Sequence, residues 1–125
     1  MKYLGVDFGL RKIGLAISEG ELSSPLQVIH IKNLNQGIKK IAEFVFREKI
    51  DKIIIGVPES GVRVVILKAI RKLKEKFDVE TIEETLSSKN AQVTMINLGL
   101  GKKKRMEEDA YSAAEILQNY LDGLS

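Results

Sequence analysis

The sequence has no cysteine, no tryptophan, one histidine and two prolines. Without cysteine, disulfide scaffolds, thiol nucleophiles and zinc-cysteine sites are excluded, which leaves carboxylates as the natural ligands of any catalytic ion. No apolar run is long and bare enough to span a bilayer, so no membrane association is predicted. The first apolar stretch, Met1-Lys2-Tyr3-Leu4-Gly5-Val6-Asp7, carries an acid inside it, unlike the core of a secretory signal, and a cytoplasmic protein is expected. Aromatic residues are only 6% of the chain and fall mostly on core positions, which argues against a base-stacking platform. A large charge excess is missing too: a net charge of +3 does not by itself mark a nucleic-acid binder.

What is present fits one domain, residues 1–125, with charges of both signs. Tyr3 to Phe8 and Ile13 to Ser18 read as strands joined by a tight turn through Gly9, Leu10 and Arg11. A third strand is predicted from Leu26 to Lys32, after the break at Ser23-Ser24-Pro25, completing an antiparallel meander. Asn35 is a plausible helix cap, followed at helical spacing by Ile38, Ile41, Ala42 and Val45, with the helix ending near Lys49. Ile53-Ile54-Ile55, closed by Gly56 and Pro58, reads as a strand from Lys52 to Val57 covered on both faces. Val62 to Leu73 gives a second amphipathic helix and Val79 to Glu83 a last strand. Ala91, Met95 and Leu98 suggest a short helix, and Lys104 to Leu121 a longer closing one. The strand-helix-strand order in the second half implies parallel pairing through right-handed crossovers. The predicted fold class is therefore α/β: a mixed five-stranded sheet, three antiparallel strands and then two parallel, flanked by helices.

Several acids stand out against this plan. Asp7 lies in the most apolar strand, where an uncompensated carboxylate costs several kcal/mol or protonates. A strand-end aspartate that organises the turn after it is an equal alternative. Glu83 and Glu84 end the last strand, where they also suit exposed charges ahead of a helix N-terminus. Asp109 precedes Ser112, Ala113, Ile116, Leu117 and Tyr120 on one helical stripe, so it lies on or beside the face that packs on the sheet. Because parallel strands end at the same edge, Asp7, a glutamate at the end of the last strand and Asp109 can meet there. Clustered carboxylates repel unless a cation lies between them, and hard oxygen ligands suit Mg²⁺ or Mn²⁺ and phosphoryl transfer. Arg11 and Lys12, one turn from Asp7, are candidate phosphate contacts, as is the run Lys102, Lys103, Lys104 and Arg105; solvated surface charge is the competing reading for both. His30, on the third strand, is assigned no role.

At these residues the chain resembles the YqgF family, also called RuvX, whose members are described as Holliday junction resolvase-like proteins and pre-16S rRNA nucleases. Asp7-Phe8-Gly9-Leu10-Arg11-Lys12-Ile13-Gly14-Leu15-Ala16-Ile17-Ser18 is similar to the family's opening signature. Pro25-Leu26, Gly56-Val57-Pro58 and Asp109-Ala110-Tyr111-Ser112-Ala113 with Ile116-Leu117 and Tyr120-Leu121 match later elements in order and spacing. The family's Asp-Glu-Arg-Leu-Thr-Thr segment corresponds to Glu83-Glu84-Thr85-Leu86-Ser87-Ser88, which keeps the acid and loses the arginine. By position Glu84 takes the metal-facing role, with Glu83 as the fallback. Glu59-Ser60-Gly61 stands where relatives carry a longer loop.

The resemblance implies a ribonuclease H-like domain that uses Mg²⁺ or Mn²⁺ and works on nucleic acid, with a role in maturing the 5′ end of 16S rRNA. Asp7, as bridging ligand, with Glu84 and Asp109 would be both catalytic and metal-binding. Arg11, Lys12, Lys102, Lys103, Lys104 and Arg105 would contact substrate. Structured RNA such as pre-16S rRNA is the implied partner and branched DNA the alternative, with the protein a monomer or homodimer. Two other readings are a catalytically weak nucleic-acid-binding module and a sugar kinase or actin-like ATPase. The last lacks support because the chain has no second lobe and no further glycine-rich phosphate loops.

Overall fold

The computed structural model describes residues 1–83 and 108–124. Strands β1 (Tyr3–Phe8) and β2 (Lys12–Ser18) form the predicted hairpin, its turn closed by the Gly9 N–H donating to the Lys12 carbonyl at 3.1 Å. Strand β3 (Ser24–His30) pairs antiparallel with β2, and β4 (Lys52–Val57) and β5 (Val79–Glu83) add parallel strands on the other side of β1. The sheet order is β3-β2-β1-β4-β5. This is the predicted mixed five-stranded sheet. Helices α1 (Leu34–Glu48) and α2 (Arg63–Lys74) cover one face, and α3 (Glu108–Gly123) covers the other.

Alternation along the strands builds two unequal cores. Leu4, Val6 and Phe8 of β1, Ile13 and Leu15 of β2, and Ile53, Ile55 and Val57 of β4 face α1 and α2, meeting Ile41, Phe44, Ile66, Ile70 and Leu73. Burying each such side chain contributes about 1.5–3 kcal/mol, so this larger layer supplies most of the hydrophobic stabilisation. The opposite face presents small residues. Ala16 and Ile54 pack against Ala113, Ile116, Leu117 and Leu121 of α3. A methyl group on Gly5 would lie 2.7 Å from the Leu117 Cβ and 2.8 Å from the Ala113 carbonyl oxygen, closer than side chains approach. A methyl on Gly14 would overlap the carbonyl of Asp109. These two glycines allow α3 to lie almost directly on the sheet backbone.

The bounds of β3 and the start of α1 differ from the sequence-based expectation. β3 begins and ends two residues earlier than predicted. Its start is held by the Ser23 N–H donating to Gln118 Oε1 at 2.9 Å and the Ser23 hydroxyl donating to the Ala114 carbonyl at 2.7 Å, both on α3. Its end is set by the next helix, capped by Asn33 and not Asn35: Asn33 Oδ1 accepts from the Gln36 N–H at 2.8 Å. Gln36 Oε1 in turn accepts from the Lys32 N–H at 2.7 Å, which removes Lys32 from the ladder. Helix α1 stops at Lys49, as predicted, where the backbone turns left-handed at φ 54°. The short helix expected around residues 91–98 and the start of the closing helix at 104–107 lie outside the described residues.

Candidate active site

Asp7 sits near the end of β1, paired with Gly14 on β2 and with Gly56 on β4. Asp7 is therefore flanked on both sides by residues without side chains, on the α3 face of the sheet. Over this row lies the first turn of α3, with the Asp109 carbonyl against Gly14. The backbone of Asp109 therefore lies beside Gly14, the ladder partner of Asp7.

Asp109 is 25% exposed, yet its Oδ2 is sealed from water and has no hydrogen-bond partner among the described residues. The Lys12 ammonium lies 3.0 Å from that oxygen. The contact is an ion pair by distance but does not meet the angular requirement of a directed hydrogen bond, so the oxygen is charge-compensated while its hydrogen-bonding capacity stays unused. One turn along, Ser112 is 1% exposed and its hydroxyl also lacks a partner among the described residues. Two buried oxygens at i and i+3 of one helix, without hydrogen-bond partners among the described residues, are costly in a finished core. They fit a site completed by a hydrated cation.

The remaining predicted residues divide clearly. Arg11 is exposed at the hairpin tip and donates from Nη1 to the Lys32 carbonyl at 3.2 Å, a tie between the tip and the segment leading into α1. Glu84 and the run Lys102, Lys103, Lys104 and Arg105 lie outside the described residues. Among the described residues no three His, Asp or Glu side chains gather into a group that could hold a metal ion.

Glu83 is not a substitute for Glu84. It pairs in register with Val57 and so belongs to the α1/α2 face, opposite Asp7. There it accepts two hydrogen bonds from Arg63, Nη1 to Oε2 at 2.7 Å and Nη2 to Oε1 at 2.8 Å. This fork holds the Glu83 carboxyl below the usual carboxylate range, and Glu83 raises Arg63 in return. Arg63 Nη1 also donates to the Pro58 carbonyl at 3.2 Å. Strand β5 is thereby fastened to the loop after β4 at the edge where β1, β4 and β5 all end. Sequence reasoning missed Arg63, because nothing local links positions twenty residues apart.

The mixed five-stranded sheet in the order β3-β2-β1-β4-β5, flanked by helices, is a ribonuclease H-like fold. The same fold is found in a Thermus thermophilus RuvC in complex with Holliday junction substrate, at a TM-score of 0.64, 14% identity and coverage of 99% of this chain and 96% of that one. The fowlpox virus Holliday junction resolvase matches at a TM-score of 0.65 and 14% identity, with 100% of each chain covered. The model of the RuvX family, described as Holliday junction resolvase, matches residues 1–123. A protein of Streptococcus agalactiae serotype III named "Putative pre-16S rRNA nuclease" is 35% identical over 137 residues, covering 98% of each chain. One of the same name from Desulforamulus reducens is 31% identical over 133 residues, covering 98% of this chain and 97% of that protein. The chain belongs to the RuvX family.

Proposed function

We propose that this protein hydrolyses phosphodiester bonds in structured RNA, in maturation of the 5′ end of pre-16S rRNA in the cytoplasm, using Mg²⁺ or Mn²⁺. The observation that supports this reading is the contact of the Asp109 backbone carbonyl with Gly14, the ladder partner of Asp7. The names of the relatives supply the substrate, and the donor set supplies the ion class.

Asp7, central in the sheet between two glycines, would be the principal carboxylate ligand of the ion. Asp109 and Glu84 complete the anionic set, and the fork from Arg63 to Glu83 fixes the strand end immediately before Glu84 in the chain. When bound, one or two divalent ions would lower the pKa of a water and balance charge on the leaving oxygen. Gly14 sets the height of Asp109 above the sheet. Arg11 and Lys12 border the site at the hairpin tip and meet the phosphates on either side of the scissile bond, with Lys102 to Arg105 adding backbone contacts.

The test is cleavage of an RNA bearing the 5′ precursor sequence of 16S rRNA, beside a four-way DNA junction, each with Mn²⁺ and with chelator. Wild-type protein is expected to cut the RNA only with Mn²⁺, and Asp7→Asn to reduce cutting to background without loss of fold. Equal cutting by Asp7→Asn would remove this mechanism. Preferential cutting of the junction would favour the substrate of the solved neighbours and a homodimer, because paired incisions need two-fold symmetry. A second reading rests on Thr85, which stands in place of the family's arginine: a module that binds nucleic acid in chelator and does not cut.

A further inference from the structure

We propose that Lys12 is a resident counter-ion of the metal site: its ammonium occupies Asp109 in the ion-free protein, and metal loading displaces it toward the substrate phosphate. The inference rests on the metal-dependent reading above and concerns how that site is filled.

Asp109 Oδ2 is withdrawn from water, and a charge removed from solvent is costly unless an opposite charge lies against it. Among the described residues, Lys12 supplies it at 3.0 Å. Lys12 opens β2, where its backbone is fixed by pairing with His30. Its side chain is 54% exposed, so the ammonium has solvent to move into. The stem is long and flexible and the head compact, which suits exchange better than the planar fork of an arginine would.

A hard divalent ion would be held through the same carboxylate oxygen. The ammonium already stands on the oxygen that such an ion would take. Two cations on one oxygen repel strongly in a partly buried site, and the divalent ion interacts more strongly with the acids, so the lysine yields. Net charge at the site rises by one when a divalent ion replaces the ammonium there. The freed ammonium remains tethered at the hairpin tip beside Arg11, where it adds to the attraction for an incoming phosphodiester. Loading the ion would thereby create a phosphate contact as well as a hydrolytic centre.

The experiment compares Mn²⁺ affinity by isothermal titration in wild-type protein, Lys12→Gln and Lys12→Met, with circular dichroism as the check on folding. Removing the competing ammonium is expected to tighten Mn²⁺ binding by about two- to fivefold, the scale of one partly exposed ion pair. A parallel Mg²⁺ titration, followed by NMR of the lysine Cε groups, is expected to shift the Lys12 signal in wild type and leave it unmoved in Asp7→Asn. If wild type binds Mn²⁺ and the Lys12 variants bind it equally or more weakly, the counter-ion role is wrong and the metal site stands. If none of the proteins binds Mn²⁺, both fall together.

Discussion

Gly14 illustrates how much of the site depends on a position with no side chain. A methyl group there overlaps the Asp109 carbonyl, and the obstacle is backbone, which cannot rotate aside. Gly14→Ala is expected to push the start of α3 off the sheet, costing about 1–3 kcal/mol as overpacked positions do and separating Asp109 from Asp7. Chemical denaturation would measure the first effect and Mn²⁺ titration the second. A variant as stable as wild type with unchanged ion affinity would show that this contact does not hold the acids together. The prominence of Asp7 and Asp109 was legible in sequence, because a charge in an apolar strand and an acid on an apolar helical stripe both break a pattern. The distinction between Glu83 and Glu84 was not. The parity of β5 follows from its own alternation, but which face Asp7 occupies relative to it is fixed only by the pairing of Val57 with Glu83 across to β1.

Among the elements, β4 and β5 have the ends their sequence predicts, since for β4 a continuous apolar run bounded by Gly56 and Pro58 permits little else. β3 and the start of α1 lie earlier than expected because an Asn at position 33 followed by Gln36 is a better cap than Asn35, a signal present in the sequence itself. At the other end of α1, Lys49 adopts φ 54°, a left-handed conformation that costs a residue with a side chain about 1–2 kcal/mol. Glycine escapes that cost and gives back about 0.5–1 kcal/mol through the unfolded chain. Lys49→Gly should therefore raise stability by about 0.5–1 kcal/mol, visible as a higher urea midpoint at constant m-value.

The fork between α2 and β5 carries a pH signature. Arg63 holds the Glu83 carboxyl below its ordinary range. Any stabilisation from the pair is therefore complete above the unfolded carboxylate value and is lost only as pH falls through the lower folded one. In Arg63→Gln, a carboxyl NMR titration should find the Glu83 midpoint moved upward toward that of a free glutamate. An unmoved midpoint would mean that the fork does not persist in solution.

Across the whole molecule, the fold and the proposed chemistry meet in a single linkage. An ion that binds the folded chain and not the unfolded one adds about 2.7 kcal/mol of stability at a hundred times its dissociation constant. Saturating Mn²⁺ is thus expected to raise the melting temperature of wild type and to leave that of Asp7→Asn where it was, as read by calorimetry with and without chelator. In the proposed role, nucleic-acid binding should also weaken steeply with added salt, because phosphate contacts release counterions.

The two faces of the sheet divide labour unevenly. Bulky aliphatic packing under α1 and α2 holds the chain folded, whereas α3 rests on glycine and alanine beside the acids. Drift in the thick layer, a methylene gained here and lost there, would alter the melting point and leave the carboxylates where they stand. On the thin side there is no such slack: backbone lies against backbone, so the spacing of the charges is inherited from the path of the main chain itself.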